Sequence, residues 1–335
     1  MATLKDIAKE AGVSIVTVSN VINGNHKKVS DETIARIQKI IHDYHYVPNA
    51  TARSLASKQS GIIGVLVPNV GEDENFLQSP YNAEVLGVLE KIIRQSGYYL
   101  MVRCLSDYQQ ALPLLHSWNV DGAVFIGANT SDVERLNQQL SIPAVFLDTY
   151  TSEQVCGVCA DDFRGGYIGT RYLINQGHTH ICFLAPGAGK EGVIYERFRG
   201  YRQAMEECGL QSSMEKREVA STTYESGLAA GRQLAFEQGT TACVTTADIL
   251  AIGLMEGLRL SGRRVPEDFS IVGFDDLPEC RYTTPQLTTI NQHVAEKAEK
   301  AAGKLLDMLR HQDVAIQNER IDVDLVERQS VQRMD

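Results

Sequence analysis

The 335-residue chain has no uninterrupted apolar run near the eighteen residues that a membrane-spanning helix needs. Its opening Met-Ala-Thr-Leu-Lys-Asp lacks the pattern of a signal peptide. The expectation is therefore a cytoplasmic chain with no membrane partner. Cysteines number seven, an odd set between Cys104 and Cys280, which argues against a disulfide framework and fits reduced, buried thiols. Signatures of catalysis are missing as well. There is no G-x-S-x-G and no assembled triad, and Gly61-Ile62-Ile63-Gly64 has the wrong spacing for a dinucleotide fingerprint. Cys156-Gly157-Val158-Cys159 is a lone C-x-x-C. The surrounding Gln154–Ala160 reads as a strand, where residues three apart face opposite sides and cannot share an ion. Asp275-Asp276 resembles a carboxylate pair, yet adjacent side chains diverge. His178 and His180 are expected to cap and face solvent. No repeat of 20–50 residues and no low-complexity tract is present. The chain is expected to be no enzyme and to need neither metal nor cofactor.

What is present begins with composition. Apolar residues at 43% and charged residues at 22% describe a globular protein long enough for two or three domains. Net charge is −10, but unevenly spread. Residues 1–58 hold eight Lys/Arg against five Asp/Glu, giving +3; the rest holds 24 against 37, giving −13. A basic head on an acidic body presents its head to phosphate.

That head carries the strongest local signal. In Thr3–Asn23, Ala11-Gly12-Val13-Ser14 places a glycine between two short helical patterns, where the turn calls for positive φ. Thr3, with Asp6 three residues on, caps the first helix and Ser14 caps the second. Leu4, Ile7, Ala8 and Ala11 form one apolar stripe; Val18, Val21 and Ile22 form the facing one. The arrangement predicts a helix-turn-helix. Ser30 caps a third helix with Ile34, Ile37, Ile41 and Tyr44 along one face. Residues 50–57 make a segment of about two turns, too short to stand alone as a helix, and 57–61 reads as a linker.

From Ile62 onward, strand and helix alternate. Apolar runs fall at Ile62–Val67, Tyr98–Val102, Ala123–Ile126, Ala144–Leu147, Ile181–Leu184, Ala242–Thr245 and Ser270–Phe274. Amphipathic stretches separate them, as at 83–96, 163–176, 197–208, 247–260 and 293–309. This is the pattern of doubly wound parallel α/β structure, and seven strands at this spacing suit two subdomains. Polar residues at the strand ends, as in Gly273-Phe274-Asp275-Asp276, stand where ligands of open α/β sheets bind.

With these pieces in order, the chain resembles the LacI/GalR family of bacterial repressors over essentially its whole length. The matching motifs are the N-terminal block Thr3–Gly24 and the segment Tyr46-Val47-Pro48-Asn49-Ala50-x-Ala52-Arg53-Ser54-Leu55. Further matches are Gly177-His178, Arg197-x-x-Gly200, Val265-Pro266-Glu267-Asp268, Gly273-Phe274-Asp275-Asp276 and Pro285-x-Leu287-Thr288-Thr289-Ile290. The resemblance implies an all-α helix-turn-helix domain at 1–47, a hinge helix and linker at 48–60, and an effector-binding and dimerisation domain at 61–335. The last would be two parallel-sheet subdomains of periplasmic-binding-protein type, about 61–160 plus 291–319 and about 161–290 plus 320–335. It also implies a homodimer on a pseudo-palindromic double-stranded operator, responding to a small molecule, a sugar or sugar derivative.

For DNA, the N-terminal side chains of the second helix face base edges. Ile15 and Val16 can pack only on apolar features such as a thymine methyl, whereas Asn20 can read adenine. Thr3, Ser14, Thr17, Ser19, Asn23 and Ser30 suit phosphate contacts. In the hinge, the resemblance makes Leu55 a minor-groove wedge, with Ala52 allowing close approach and Arg53 reaching phosphate, and it adds Asn49 to the DNA-binding residues. For the effector it points to Asn129, Asp148, Arg197, Thr222, Ala247, Asp275 and Gln292, with Arg197 at the start of a helix. Two positions depart from the sugar-binding pattern: Ala247 replaces an Asn, and Thr222 stands where an aromatic often stacks. Residues 69–79 also run long, bringing Glu72, Asp73, Glu74 and Phe76 towards the cleft mouth. A sugar acid, a phosphorylated sugar, a nucleobase or a partner protein therefore stay open beside a neutral sugar.

Overall fold

The computed structural model describes residues 2–22, 24–27, 29–46, 59–68, 75–105, 107–187 and 189–334. The chain divides into two compact units, Met1–Ser60 and Gly61–Asp335.

In the first unit, helices Leu4–Ala11, Ile15–Ile22 and Asp31–Asp43 enclose Ile7, Ala8, Ala11, Val18, Val21, Ile37 and Ile40. The third helix corrects the sequence reading. Its buried positions are Ile37 and Ile40; Ile34 and Ile41 flank them, and Tyr44 is exposed and donates to Glu10. The inward stripe is rotated because residue 40, not 44, continues the turn below Ile37.

The second unit is built on two six-stranded sheets. Strands β1 (Ile62–Pro68), β2 (Tyr99–Leu105), β3 (Gly122–Ile126), β4 (Ala144–Leu147), β5 (Gly157–Ala160) and β11 (Asn318–Ile321) form one, in the order β11-β5-β4-β3-β1-β2. The second comprises β6 (Ile181–Pro186), β7 (Met214–Val219), β8 (Ala242–Thr245), β9 (Ser270–Asp275), β10 (Thr288–Asn291) and β12 (Asp324–Val326), ordered β12-β10-β9-β8-β6-β7. All neighbours are parallel except β10 with β12. Central strands such as Gly-Ala-Val-Phe-Ile in β3 are buried throughout, as sheets covered on both faces require. The chain passes between the sheets three times: from β5 into helix Asp162–Asn175, from β10 into helix Val294–Leu309, and from β11 to β12.

The strands beyond the expected seven are β5, β7, β10, β11 and β12. Of these, the Gln154–Ala160 reading covers β5. The others are short or charged, as in Met-Glu-Lys-Arg-Glu-Val of β7, and carry too little apolar periodicity to stand out. Two helix pairs touch backbone to backbone through glycine. A Cβ on Gly200 would lie 2.0 Å from the carbonyl oxygen of Phe163, and one on Gly166 would lie 2.0 Å from that of Arg197. Gly227, Gly231, Gly253 and Gly257 do the same for helices Tyr224–Leu234 and Asp248–Leu260.

His178 is a further correction. Instead of facing solvent it is 2% exposed, bonded to Thr241 Oγ1 at 2.9 Å and to the Gln332 carbonyl at 3.1 Å. Burial holds its pKa below the usual value. It fastens the C-terminal segment to the residue that leads into β8 of the second sheet.

Candidate functional site

In the N-terminal unit the turn is built as its residues dictate. Thr3 Oγ1 accepts from the Asp6 amide and Asp6 accepts in return from the Thr3 amide at 2.9 Å, closing a capping box. Gly12 has φ +66° at the end of the first helix, and Ser14 Oγ accepts from the Thr17 amide at 3.1 Å. With Val18 and Val21 facing inward, Ile15 and Val16 are left 47% and 67% exposed at the start of the second helix. These two apolar side chains at the helix N-terminus contribute nothing to this core. Thr17, Ser19 and Asn20 on the same helix are half-buried, and Ser30 caps the third helix through the Thr33 amide. Asn23, Asn49, Ala52, Arg53 and Leu55 lie outside the described residues, as do Glu72, Asp73 and Glu74.

In the second unit, the ends of β4 and β9 carry Asp148 and Asp275, both with positive φ (+54° and +131°). Such backbone strain in non-glycine residues concentrates at functional sites. Around them lies a buried charged network. Lys297, on helix Val294–Leu309, donates to Asp148 Oδ1 at 2.6 Å, Gln292 Oε1 at 2.6 Å and Tyr81 Oη at 2.9 Å. Tyr81 donates to Asp148 Oδ2, and Gln292 Nε2 donates to Asp275 Oδ1. On the side of the second sheet, Arg197 donates through Nε to Asp162 Oδ1 at 2.7 Å and through Nη1 to the Thr246 carbonyl at 2.5 Å. Its guanidinium lies 3.6 Å from the Phe274 ring centroid. Tyr150 completes the link, donating to Asp162 Oδ2 at 2.7 Å.

Burial sets the protonation of these groups. Desolvation raises the Asp275 pKa to about 8, the Asp248 charge adding to the rise and Arg197 opposing it. Desolvation likewise raises Asp162 against the pull of Arg197, and it pushes Tyr81 well above its ordinary value. For Arg197 burial disfavours the charge, but Asp162 and Asp275 outweigh it and the pKa rises. Arg197 pairs with Asp162 and Lys297 with Asp148, while burial and the neighbouring Asp248 shift Asp275 towards its neutral form. Nη2 of Arg197 and Oδ2 of Asp275 are the atoms not engaged with these partners.

Of the sequence-expected effector residues, Asp148, Arg197, Asp275 and Gln292 come together. Arg197 is in the second turn of helix Val193–Glu207, not at its start, because Gly192 caps that helix. Asn129 instead accepts from the Asp132 amide at 2.8 Å as an N-cap. Thr222 is half-buried just ahead of helix Tyr224–Leu234, and Ala247 is the buried N-cap position of helix Asp248–Leu260. Phe76 packs on the core of the first sheet. Asp275 and Asp276 diverge, Asp276 pairing with Arg328 at 2.5 Å. Sequence reasoning missed Lys297, Tyr81, Asp162 and Tyr150. The available signal was Lys297 itself, a charge on the inward stripe Val294, Ala298, Ala301, Ala302, Leu305. It also missed Asp248, fully buried and accepting from the Leu277 amide, Thr289 and Cys280.

A helix-turn-helix unit joined in one chain to a two-sheet body with a polar network at its strand ends defines a ligand-responsive DNA-binding regulator. The chain belongs to the lacI family of bacterial regulatory proteins. Residues 3–49 match that family, and residues 170–331 match the periplasmic binding protein-like domain. It is 34% identical to the HTH-type transcriptional repressor PurR of Erwinia tasmaniensis, over 99% of this chain and 97% of that one. It is 31% identical to the ribose operon repressor of Haemophilus influenzae, over 93% of each. Among solved structures, the Lac repressor dimer bound to operator and the anti-inducer ONPF matches with TM-score 0.87 and 27% identity over 99% of both chains. A LacI family regulator from Enterococcus faecium with bound ribose matches with TM-score 0.73 and 25% identity, covering 82% of this chain and all of that one.

Proposed function

We propose that this repressor binds a small hydroxyl-bearing effector, a sugar or sugar derivative, between its two sheets, and that this binding sets its affinity for a pseudo-palindromic operator. The chain acts in this reading as a cytoplasmic homodimer without catalytic activity. Residues 1–47 read the DNA through Ile15, Val16 and Asn20; Thr3, Ser14, Ser19, Asn23 and Ser30 hold phosphates, and Thr17 serves either contact. The hinge 48–60 contributes Asn49, Ala52, Arg53 and Leu55, with Leu55 as the wedge.

Arg197 is the observation that carries the effector half. Two of its three guanidinium nitrogens are fixed by Asp162 and Thr246 and its face is held on Phe274, which leaves Nη2 outside these contacts, with the Asp275 carboxyl near enough to act on the arginine charge. An arginine fork beside a carboxyl group is suited to a hydroxyl that accepts from one and donates to the other. The ribose-bound regulator of the same family supports that chemistry. Asp148 and Gln292 serve as supports, and Asn129, Thr222 and Ala247 shape the neighbouring ends. A ligand that binds one closure state of the two subdomains better shifts the population towards it, and operator DNA must shift effector affinity reciprocally.

The test is selection of genomic fragments by the purified chain, followed by footprinting with and without D-ribose, D-glucose, D-gluconate, sugar phosphates and purines. A protected palindrome whose protection one of these compounds alters, in the wild-type chain but not in Arg197→Ala, is the expected result. Protection that every compound leaves unchanged in both overturns the effector half.

A further inference from the structure

We propose that Lys297 is a built-in cationic occupant of the cleft, filling the place between Asp148, Tyr81 and Gln292 that the amino group of a ligand would otherwise take. The cleft therefore rejects positively charged effectors and reads hydroxyl-bearing ones through Arg197 and Asp275. This rests on the effector reading above and names the class of ligand excluded.

The geometry carries it. An ammonium has three protons and no acceptor, and Lys297 places its three on three acceptors within 2.9 Å while being fully withdrawn from water. Nothing about helix Val294–Leu309 asks for a lysine there: Lys297 shares the buried face with Val294, Ala298, Ala301 and Ala302. A charge on such a face is costly unless a counter-ion meets it. That counter-ion is Asp148, whose two oxygens are both consumed, one by Lys297 and one by Tyr81. Both Asp148 oxygens are thus already engaged from within the protein. Lys297 also fixes the direction of Gln292. Because the amide oxygen accepts from the ammonium, the amide nitrogen must face Asp275, as observed. Lys297 is in this sense a positioning residue for Asp275 as well as an occupant. A second cation entering the cleft would find Asp148 paired, Asp162 paired with Arg197, and Asp275 driven towards its neutral form by burial.

The experiment uses the full-length chain and propylammonium, which restores the atoms removed by Lys297→Ala. Thermal unfolding is followed in the wild type, in Lys297→Ala and in the Asp148→Asn/Lys297→Ala double variant, with 1-propanol as the neutral control. Propylammonium at tens of millimolar is expected to raise the melting temperature of Lys297→Ala by about 3 °C, and to bind it at least about tenfold more tightly than it binds the other two. An equal effect on all three, or an equal effect of 1-propanol on Lys297→Ala, overturns the proposal. Should Lys297→Ala not fold, refolding with each additive asks the same question. Rescue by propylammonium alone supports the assignment, and rescue by neither or by both overturns it. Failure of the effector reading would register separately, as a wild-type chain unmoved by every sugar, sugar acid, sugar phosphate and purine.

Discussion

Nε of Arg197 donates to Oδ1 of Asp162 across 2.7 Å, with Asp162 fully buried and Arg197 6% exposed. The two partners differ in how they survive alone. A buried carboxyl can take up a proton, and Asp162 is already shifted in that direction by burial. A guanidinium cannot lose its charge. Asp162→Ala is therefore expected to destabilise the second unit by about 3–5 kcal/mol, and Arg197→Met, which keeps the volume, by clearly less. Urea unfolding of the two variants decides it, and equal losses would contradict the asymmetry.

Asp275 gives stability a defined pH dependence. Its folded pKa of about 8 lies above the roughly 3.9 of an unfolded aspartate, so between these values the native chain holds more protons than the unfolded one. The contribution is fully present below about pH 4 and is lost as pH rises towards 8. Asp162 and Asp248 are shifted the same way. Asp275→Asn should flatten part of the decline in melting temperature between pH 5 and 9. Parallel curves for variant and wild type would refute the assignment.

Val16 and Val18 separate surface from core in one helix. Val18 is fully buried and Val16 is 67% exposed. Val18→Ala should cost the N-terminal unit about 2 kcal/mol. Val16→Ala should leave unfolding unchanged within about 0.5 kcal/mol and weaken binding to the fragment that the wild type selects. Anisotropy titration beside thermal melts measures both; intact binding by Val16→Ala would remove that residue from the DNA surface.

Gly200 is required by approach, since an added Cβ would meet the Phe163 carbonyl at 2.0 Å. Gly200→Ala should force helices Asp162–Asn175 and Val193–Glu207 apart, at a cost of about 1–3 kcal/mol or more. Because Arg197 lies one turn earlier on the second of these helices, effector response should suffer beyond the loss of stability. A variant with wild-type melting would show that the helices adjust freely.

His178 ties residue 332 to the second core, and burial keeps it neutral. Its depressed pKa means that this contribution is present above about pH 6.5 and is lost as pH falls through the folded value. His178→Ala should release the C-terminal segment to carboxypeptidase at neutral pH, where the wild type resists until acidified. Equal digestion of the two proteins at pH 7.5 would dismiss the role.

Local chemistry was legible wherever a few adjacent residues settle it. The capping box of Thr3 and Asp6, the turn at Gly12 and the exposure of Ile15 and Val16 follow from neighbours within one or two turns. The buried strands β3, β4 and β8 read directly from their apolar runs. Asp148, Arg197, Asp275 and Gln292 were indicated by the family resemblance, Asp148 and Asp275 also by their place after strands, and these four converge. What could not be read was how each charge is answered. Tyr81 and Lys297 are 216 residues apart in sequence, and Lys297 and Asp148 are 149 apart.

The amino-acid order by itself determined the three-helix head, the alternation that builds two parallel sheets, and the polar residues at the strand ends, because capping, periodicity and turn chemistry act over a few residues. Only the tertiary structure decided how those polar groups pair with one another. Pairing and desolvation depend on what the three crossings between the sheets bring together, and there Lys297 meets Asp148 and Arg197 meets Asp162 although each pair is far apart along the chain.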